Sequence, residues 1–453
     1  MEEFNLNYMN NFFTSKKNIS SHPIVIRIVF VLLYILLVAT YSSKAEAFNC
    51  DQRKGKIYSP DQYGAIGNGV SDDSIAVQKA LTRCSKENAV CVFTKNKEYF
   101  INTPLFVWGR ASICGDDSGS SQIKVGKDAG KYVLNFGLKE KHILGHIYSG
   151  QIKNISFSAQ EGRGRLLYFW NTSGAIIENN IFDFGNSGYS ATSSGNDYYW
   201  FNGNSKKLVR ENITIRNNSI NANSDKYGSE GFGLSLFDNV IIENNHIYGT
   251  GDDPIGIHVC QNVKIIGNKL YSVDGRIFVS NSSGVEIKNN FHSRIKTSDK
   301  FERGISLIYA GYETSNNIKY PKPSKITIED NKLTYPKGAI DNGAAIYVYG
   351  ADRVEIIHNT IINNSRTVNA SGLHILPLDI KKRKFNNNYG KIGNIKITGN
   401  KFIGKYPSIA RMTGNCNRYY GSVKIFDNEA LGYSFYCKNA VMKNNSVLMP
   451  VFF

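Results

Sequence analysis

The feature that most constrains this chain is a nine-residue pattern that returns ten times. Segments beginning at positions 174, 212, 239, 262, 284, 325, 353, 394, 422 and 439 read GAIIENNIF, NITIRNNSI, NVIIENNHI, NVKIIGNKL, GVEIKNNFH, KITIEDNKL, RVEIIHNTI, NIKITGNKF, SVKIFDNEA and NAVMKNNSV. The seventh place is always asparagine: Asn180, Asn218, Asn245, Asn268, Asn290, Asn331, Asn359, Asn400, Asn428 and Asn445. The second and fourth places are mostly Ile or Val, the period-two alternation of a strand with one buried face. The closely spaced starts at positions 239, 262 and 284 suit single coils of a parallel β-helix, and the wider separations require insertions at turns.

Elementary physics agrees with that reading. A coil buries its inward Ile and Val only when another coil stacks on it. Asparagine tolerates the left-handed backbone of a sharp corner. Its amide also matches the equivalent amide one coil away, so the seventh places are expected to form a ladder. Leucine-rich repeats, WD-type propellers and G-G-x-G-x-D arrays need signatures that are not present. Second strands are expected at 232–237, 255–259, 276–280, 304–309 and 344–349. Together they make one sheet along the solenoid, whose outer face and feeding corners form an elongated groove. The fold class is therefore all-β, a parallel β-helix from residue 48 to 453 with an N-terminal cap over about 60–90.

Lys16, Lys17 and Arg27 precede an apolar run from Ile28 to Thr40, followed by Ala45-Glu46-Ala47. This is the layout of a secretory signal, and cleavage is expected after Ala47. The other reading is a retained anchor from Ile24 to Tyr41, against which Arg27 counts. Secretion, a periplasmic location or display at the cell surface follows, with membrane contact only if the segment is retained. All seven cysteines lie beyond residue 47. Cys84/Cys91 and Cys416/Cys437 are the expected local bridges in an oxidising compartment. Neither C-x-x-C nor H-E-x-x-H occurs, so no structural zinc is expected.

With 54 basic and 37 acidic residues the net charge is +17. Such a field favours an anionic partner. The one concentrated patch is Lys381-Lys382-Arg383-Lys384. No nucleic-acid-binding motif accompanies it, so nucleic acid is not expected. The partner expected is an anionic polysaccharide, met by a monomer.

Residues 62–81, QYGAIGNGVSDDSIAVQKAL, read as a Gly-rich turn and a helix from about Ser74 to Cys84, capped by Ser71 or Asp72. Asp72 and Asp73 look like a catalytic pair but are assigned to capping the helix. The stretch resembles the opening of the pectate-lyase-like β-helix superfamily, which includes polygalacturonase-type glycoside hydrolases. Ser229-Glu230-Gly231-Phe232-Gly233-Leu234 followed by NVIIENNHIYGTGDDPIGI is similar to the polygalacturonase-type signature. There an N-T-D-G-x-D segment precedes G-D-D by one coil, and G-H-G follows one coil later. Gly251-Asp252-Asp253 supplies G-D-D here. Glu230 stands at the first aspartate, Gly233 at the second acid, and Val273-Asp274-Gly275 at G-H-G. Arg294-Ile295-Lys296 provides an R-I-K triplet, but too soon after Asp274 to lie on the next groove strand. The resemblance implies a right-handed β-helix and an inverting hydrolase. It implies no cofactor, although lyases of this fold often use calcium.

Glu230, Asp252 and Asp274 are evenly spaced, at the interval of the tightest repeat, which would stack three carboxyls on one corner of successive coils. Crowded carboxylates push their pKa values apart, leaving an acid beside a base, as glycoside hydrolysis requires. Asp252 is assigned as the acid, Asp253 and Glu230 to the water, and Asp274 to tuning. Arg276, or Arg303 in its stead, would hold an anionic sugar, with His258 in the groove. Tyr198, Tyr199 and Trp200 are candidates for stacking on sugar rings. Gly251-Asp252-Asp253-Pro254 and Asp274-Gly275 are also ordinary turn sequences, and the equal spacing is what sets them apart. Two other readings stay open: a polysaccharide lyase or uronate epimerase, and a non-catalytic glycan-binding surface protein.

Overall fold

Each nine-residue segment is a strand, a two-residue corner and the start of a second strand. In one coil, Asp238–Glu243 forms the first strand, Asn244 and Asn245 make the corner, and His246–Thr250 forms the second. A third strand, Ile255–His258, follows a short turn and leads back into the next segment. The computed structural model describes Cys50 and residues 55–447, apart from 117–119, 142, 160, 186, 195–208, 223–228, 274, 296–305, 313–320, 337–343, 365–370, 377–393, 405–409, 413–422, 427, 431–433, 436–439 and 444–445. Repetition of the coil builds three long sheets, here called first, second and third in the order above, with 15, 14 and 12 strands. Every pairing within them is parallel; one small antiparallel hairpin, Leu138–Glu140 with Ile143–Leu144, lies outside them. The insertions that lengthen the repeat fall in the connections from second to third sheet and from third to first.

The register keeps like residues in columns. Val240 stands beside Val263, Val263 beside Val285, and Val285 beside Ile326. All four are at most 1% exposed. Burying such a side chain contributes about 1.5–3 kcal/mol, so the stacked columns supply most of the driving force. No coil has this stabilisation alone.

The asparagine ladder is continuous from Asn180 to Asn428, with no member more than 2% exposed. Each Nδ2 donates to the Oδ1 of the next asparagine at 2.9–3.0 Å. Asn445 lies outside the described residues. The left-handed backbone, however, is not at the ladder asparagine. It is at the sixth place, Asn179, Asn217, Asn244, Gly267, Asn289, Asp330, His358 and Gly399, with φ between 52° and 67°. The corner thus divides two tasks between neighbours: the sixth residue turns the chain, and the seventh satisfies the polar groups that the turn buries.

The cap helix runs Ser74–Glu87 and buries Val77, Ala80, Leu81 and Cys84 over the end of the core. The N-cap position is held by Asp73, not by Ser71 or Asp72, and carries no side-chain cap bond. Asp72 Oδ1, just before the helix, accepts the Ser74 amide and hydroxyl. Asp73 instead accepts the amides of Ile66 and Gly67 and pins the Gly-rich turn. Cys84 and Cys91 form the expected bridge. Cys50 pairs with Cys114, 64 residues away, which sequence proximity did not suggest. Cys260 is a buried free thiol. Cys416 and Cys437, and the whole apolar segment before residue 47, lie outside the described residues. No helix among the described residues is long and apolar enough to cross a membrane.

Candidate active site

The turn Gly251-Asp252-Asp253-Pro254 carries the chain from second to third sheet. Its geometry is held from the coils on both sides. The Gly251 amide donates to Ser229 Oγ, and the Asp252 amide to the Ser229 carbonyl. Asp253 Oδ1 accepts the Arg276 amide at 3.1 Å. A Cβ on Gly231 would strike the Pro254 carbonyl oxygen, and one on Gly275 the Asp252 carbonyl oxygen. Glycine stands at these two places because the neighbouring backbone occupies the side-chain volume. Below, Arg294 Nη1 and Ser272 Oγ both donate to the Gly275 carbonyl, at 2.7 and 2.8 Å. Arg294 is therefore a buried brace on the second sheet rather than a groove residue.

The ladder pairs Phe232 with Ile255 and Ile255 with Ile277. The first of these steps is longer than the second by a single position. Continued backwards, that register sets Glu230 beside Asp253, not beside Asp252 as even spacing implied. This corrects the expected column by one position at its first step. Asp274 and Arg303 lie outside the described residues, as do Tyr198, Tyr199, Trp200 and the 381–384 cluster.

Glu230, Asp252 and Asp253 nevertheless share one electrostatic neighbourhood. Asp253, with its side chain 14% exposed, is pushed up to about 8. Burial is the main cause, with the charges of Asp252 and Glu230 adding and the Arg276 guanidinium opposing. Glu230 is also raised, first by burial and then by Asp252, while Arg165 pulls it down. Asp252 is exposed and accepts the Asp253 amide on Oδ1. His258 is pushed down to about 4 by burial and by Arg276, so it is neutral at neutral pH. Its Nδ1 lies 2.9 Å from Ser280 Oγ.

Two cations flank the acids. Arg165 bonds Ser190 Oγ at 2.7 Å and approaches Glu230 Oε2 at 3.5 Å. Arg276 lies 3.5 Å from Asp253 Oδ1, with its guanidinium 4.3 Å from the Phe278 ring centre and 4.8 Å from that of Tyr309. Among the described residues its Nε, the atom nearest Asp253 Oδ1, is buried and makes no hydrogen bond. Arg165, Phe278 and Tyr309 escaped the sequence reading. Arg165 sits far before Glu230 in the chain, and only coil stacking joins them. Phe278 and Tyr309 had a usable signal, since the register puts them in one outward column.

That column also supplies the floor of the site. Ser193, Gly233, Gly256 and Phe278 follow one another across four coils. A Cβ on Gly233 would come within 3.1 Å of Glu230 Oε2, and one on Gly256 within 3.8 Å of His258 Nε2. The two glycines leave space between acids, histidine and arginine. Neither has a left-handed φ, so a larger residue strains no backbone there. Gly233→Val is expected to raise KM about tenfold or more, equivalent to about 1.4 kcal/mol, with the melting temperature little changed. Steady-state kinetics with a thermal melt checks this.

Concavities of about 760 Å³ on the first sheet, lined by Glu286, Lys325 and Glu355 among others, and of about 1000 Å³ beside the cap contain no member of this cluster. Among the described residues no group of three or more His, Cys, Asp and Glu side chains is placed to hold a metal ion.

No family model matches the chain, and no curated protein matches it. Solved structures do. The A-module of the mannuronan C-5 epimerase AlgE6 of Azotobacter vinelandii is 15% identical, covers 87% of this chain and 100% of its own, and has a TM-score of 0.56. The tailspike of E. coli bacteriophage HK620 is 8% identical over 85% of this chain and 66% of its own, at 0.53. PfbA, a surface adhesin of Streptococcus pneumoniae, is 14% identical over 81% and 92%, at 0.50. At such identities the shared property is the fold, and the chain is a right-handed parallel β-helix.

Proposed function

We propose that this protein is an exported carbohydrate-active enzyme that hydrolyses glycosidic bonds of an acidic polysaccharide. The observation that carries the reading is the asymmetry of the two adjacent aspartates. Asp253 is largely shielded from water and raised to about 8, which favours its protonated form at neutral pH, whereas Asp252 is open to solvent. One acid and one base side by side are what hydrolysis at an acetal needs. Burial exchanges the roles expected from the sequence: Asp253 is the proton donor to the leaving oxygen, and Asp252 serves the water side with Glu230. Arg276 supports an anionic sugar, because among the described residues its guanidinium meets only Asp253 and two ring faces. Two disulfides accord with export. Among proteins of this fold, the A. vinelandii epimerase acts on mannuronan and a tailspike variant was solved with a pentasaccharide.

One observation favours a second reading. His258, uncharged and packed 5.0 Å from Phe278 beneath Arg276, offers a base near a cation, the pairing that C5 proton abstraction in a lyase or epimerase uses. Incubation of the purified protein with a panel of polyuronates and neutral glycans separates the readings. New reducing ends without near-ultraviolet absorbance are expected for hydrolysis. Absorbance growing with the ends identifies a lyase. Altered uronate composition without cleavage, read by NMR, identifies an epimerase. If all three signals stay flat across the panel, the enzymatic reading fails and glycan binding alone is left.

A further inference from the structure

We propose that the second sheet carries a separate binding strip for an anionic polysaccharide, on a different face of the solenoid from the acid cluster. Its outward positions run in two columns through seven successive strands, from Ser219–Asn221 to Lys401–Gly404. One column is Ser219, His246, Lys269, Phe291, Lys332, Thr360 and Lys401. The other is Asn221, Tyr248, Tyr271, Ser293, Thr334, Ile362 and Ile403. Within these seven strands neither column contains a carboxylate; the flanking coils bring Asp183 beside Asn221 at one end and Glu429 beside Lys401 at the other. The first sheet differs from this stretch, as does the start of the second sheet, where Lys124 lies 4.0 Å from Glu98. On the first sheet Arg216 pairs with Glu178 at 3.0 Å and Lys288 with Glu329 at 3.1 Å, so its cations face acids one coil away. Among the described residues Lys269 and Lys332 meet no such acid.

Aromatic rings sit at the centre of this acid-free strip. Tyr271 lies 5.6 Å from His246, 6.0 Å from Tyr248 and 5.4 Å from Phe291, centre to centre. Lys332 Nζ stands 5.9 Å from the Phe291 ring. Tyr248 is 43% exposed, although a ring of that size on a solenoid face gains by being covered. Ring faces accept the C–H faces of pyranoses, and the flanking ammonium groups match a carboxylate on each sugar. Coils rise about 4.8 Å, so a polymer lying along the axis meets a ring or a lysine at five of the seven steps, the exceptions being Ser219/Asn221 and Thr360/Ile362. The strip contains no arginine, the side chain whose fork suits phosphate, and this favours a carboxylate polymer over nucleic acid. Held there, a long chain is anchored remotely while another stretch of it enters the acid cluster.

The test is electrophoresis of the full chain through native gels cast with polygalacturonate or alginate, with neutral glucan and single-stranded DNA gels in parallel. Wild type and Asp253→Asn are expected to be retarded equally by polyuronate. Tyr248→Ala/Tyr271→Ala and Lys269→Glu/Lys332→Glu are each expected to weaken retardation at least about tenfold, while Tyr248→Phe/Tyr271→Phe retains it. Cleavage of short soluble substrates is expected to be unchanged in all strip variants. Unchanged retardation in the Ala and Glu variants, no retardation of wild type by any polyuronate, or a loss confined to the DNA gel overturns the proposal. Lack of turnover with retardation intact overturns the enzymatic reading and leaves the strip standing.

Discussion

Asp253→Asn is expected to lower kcat by about 10²–10⁴-fold while KM changes little, because it removes a proton donor and keeps the shape. The pH profile is the sharper measurement. A general acid must be protonated, so activity of the wild type falls as pH rises through about 8, the value to which burial raises Asp253. Arg276 favours the ionised form of Asp253. Arg276→Met should therefore move the alkaline limb to higher pH, besides weakening the binding of an anionic sugar. Asp252→Asn should lower kcat while leaving the alkaline limb traceable to Asp253. If Asp252→Asn erases the alkaline limb and Asp253→Asn does not, the roles are the reverse of those proposed. Stability supplies an independent reading. The folded protein holds the Asp253 proton up to about 8, whereas the unfolded chain releases it near the ordinary carboxylate value of 3.8. Between these values the folded state binds more protons, so the contribution of this group to stability declines as pH rises through that window. Asp253→Asn should thus melt higher than wild type at pH 8 and above while losing activity.

The largest structural effect is expected at Asn268. Its Oδ1 accepts both the backbone amide and the Nδ2 of Asn245, and its Nδ2 donates to the carbonyls of Ile242 and Ile266 and to Asn290 Oδ1. Asn268 is 0% exposed, so water does not replace these partners. Asn268→Ala leaves the Asn245 amide buried without a partner, at about 1–3 kcal/mol, and removes the bonds to Asn245 Nδ2, Ile242, Ile266 and Asn290, so roughly 2–6 kcal/mol in total is expected. Asn268→Asp should be worse despite its nearly identical shape. A carboxylate donates nothing, and it would place oxygen against oxygen at Ile242 and Asn290. Urea denaturation followed by circular dichroism checks both. A loss under about 1 kcal/mol in either variant would mean that the ladder decorates coils which hydrophobic stacking already holds.

How much of this was legible beforehand varies by element. The nine-residue segments announced strand, corner and strand because period-two burial and a buried corner amide impose local composition. The cap helix was readable to within one turn at its end, Glu87 rather than Cys84. The strand expected at 304–309 instead runs Ile308–Gly311, since the preceding connection is an insertion whose length no pattern disclosed. The left-handed residue was placed one position late: both corner residues are often asparagine, and only backbone geometry separates turning from bonding. The acid column was misread by one step because the coil from Phe232 to Ile255 is longer by a single position than the one that follows it. The Cys50–Cys114 bridge and the Arg165–Glu230 contact were invisible, because each joins positions remote from one another in the chain.

By itself the sequence determined that the chain winds into stacked coils, where the corners fall, which side chains face inward, and that acids gather near Gly251-Asp252-Asp253. These properties depend on neighbours along the chain, and periodic burial writes them into every coil. Only the tertiary structure decided which carboxyl is shielded from water, which arginines reach it, and that seven successive strands of the second sheet align rings and lysines with no acid between them. Those depend on the register between coils. A single extra residue in a turn shifts that register, and proton affinity follows the surroundings of a carboxyl, not its place in the chain.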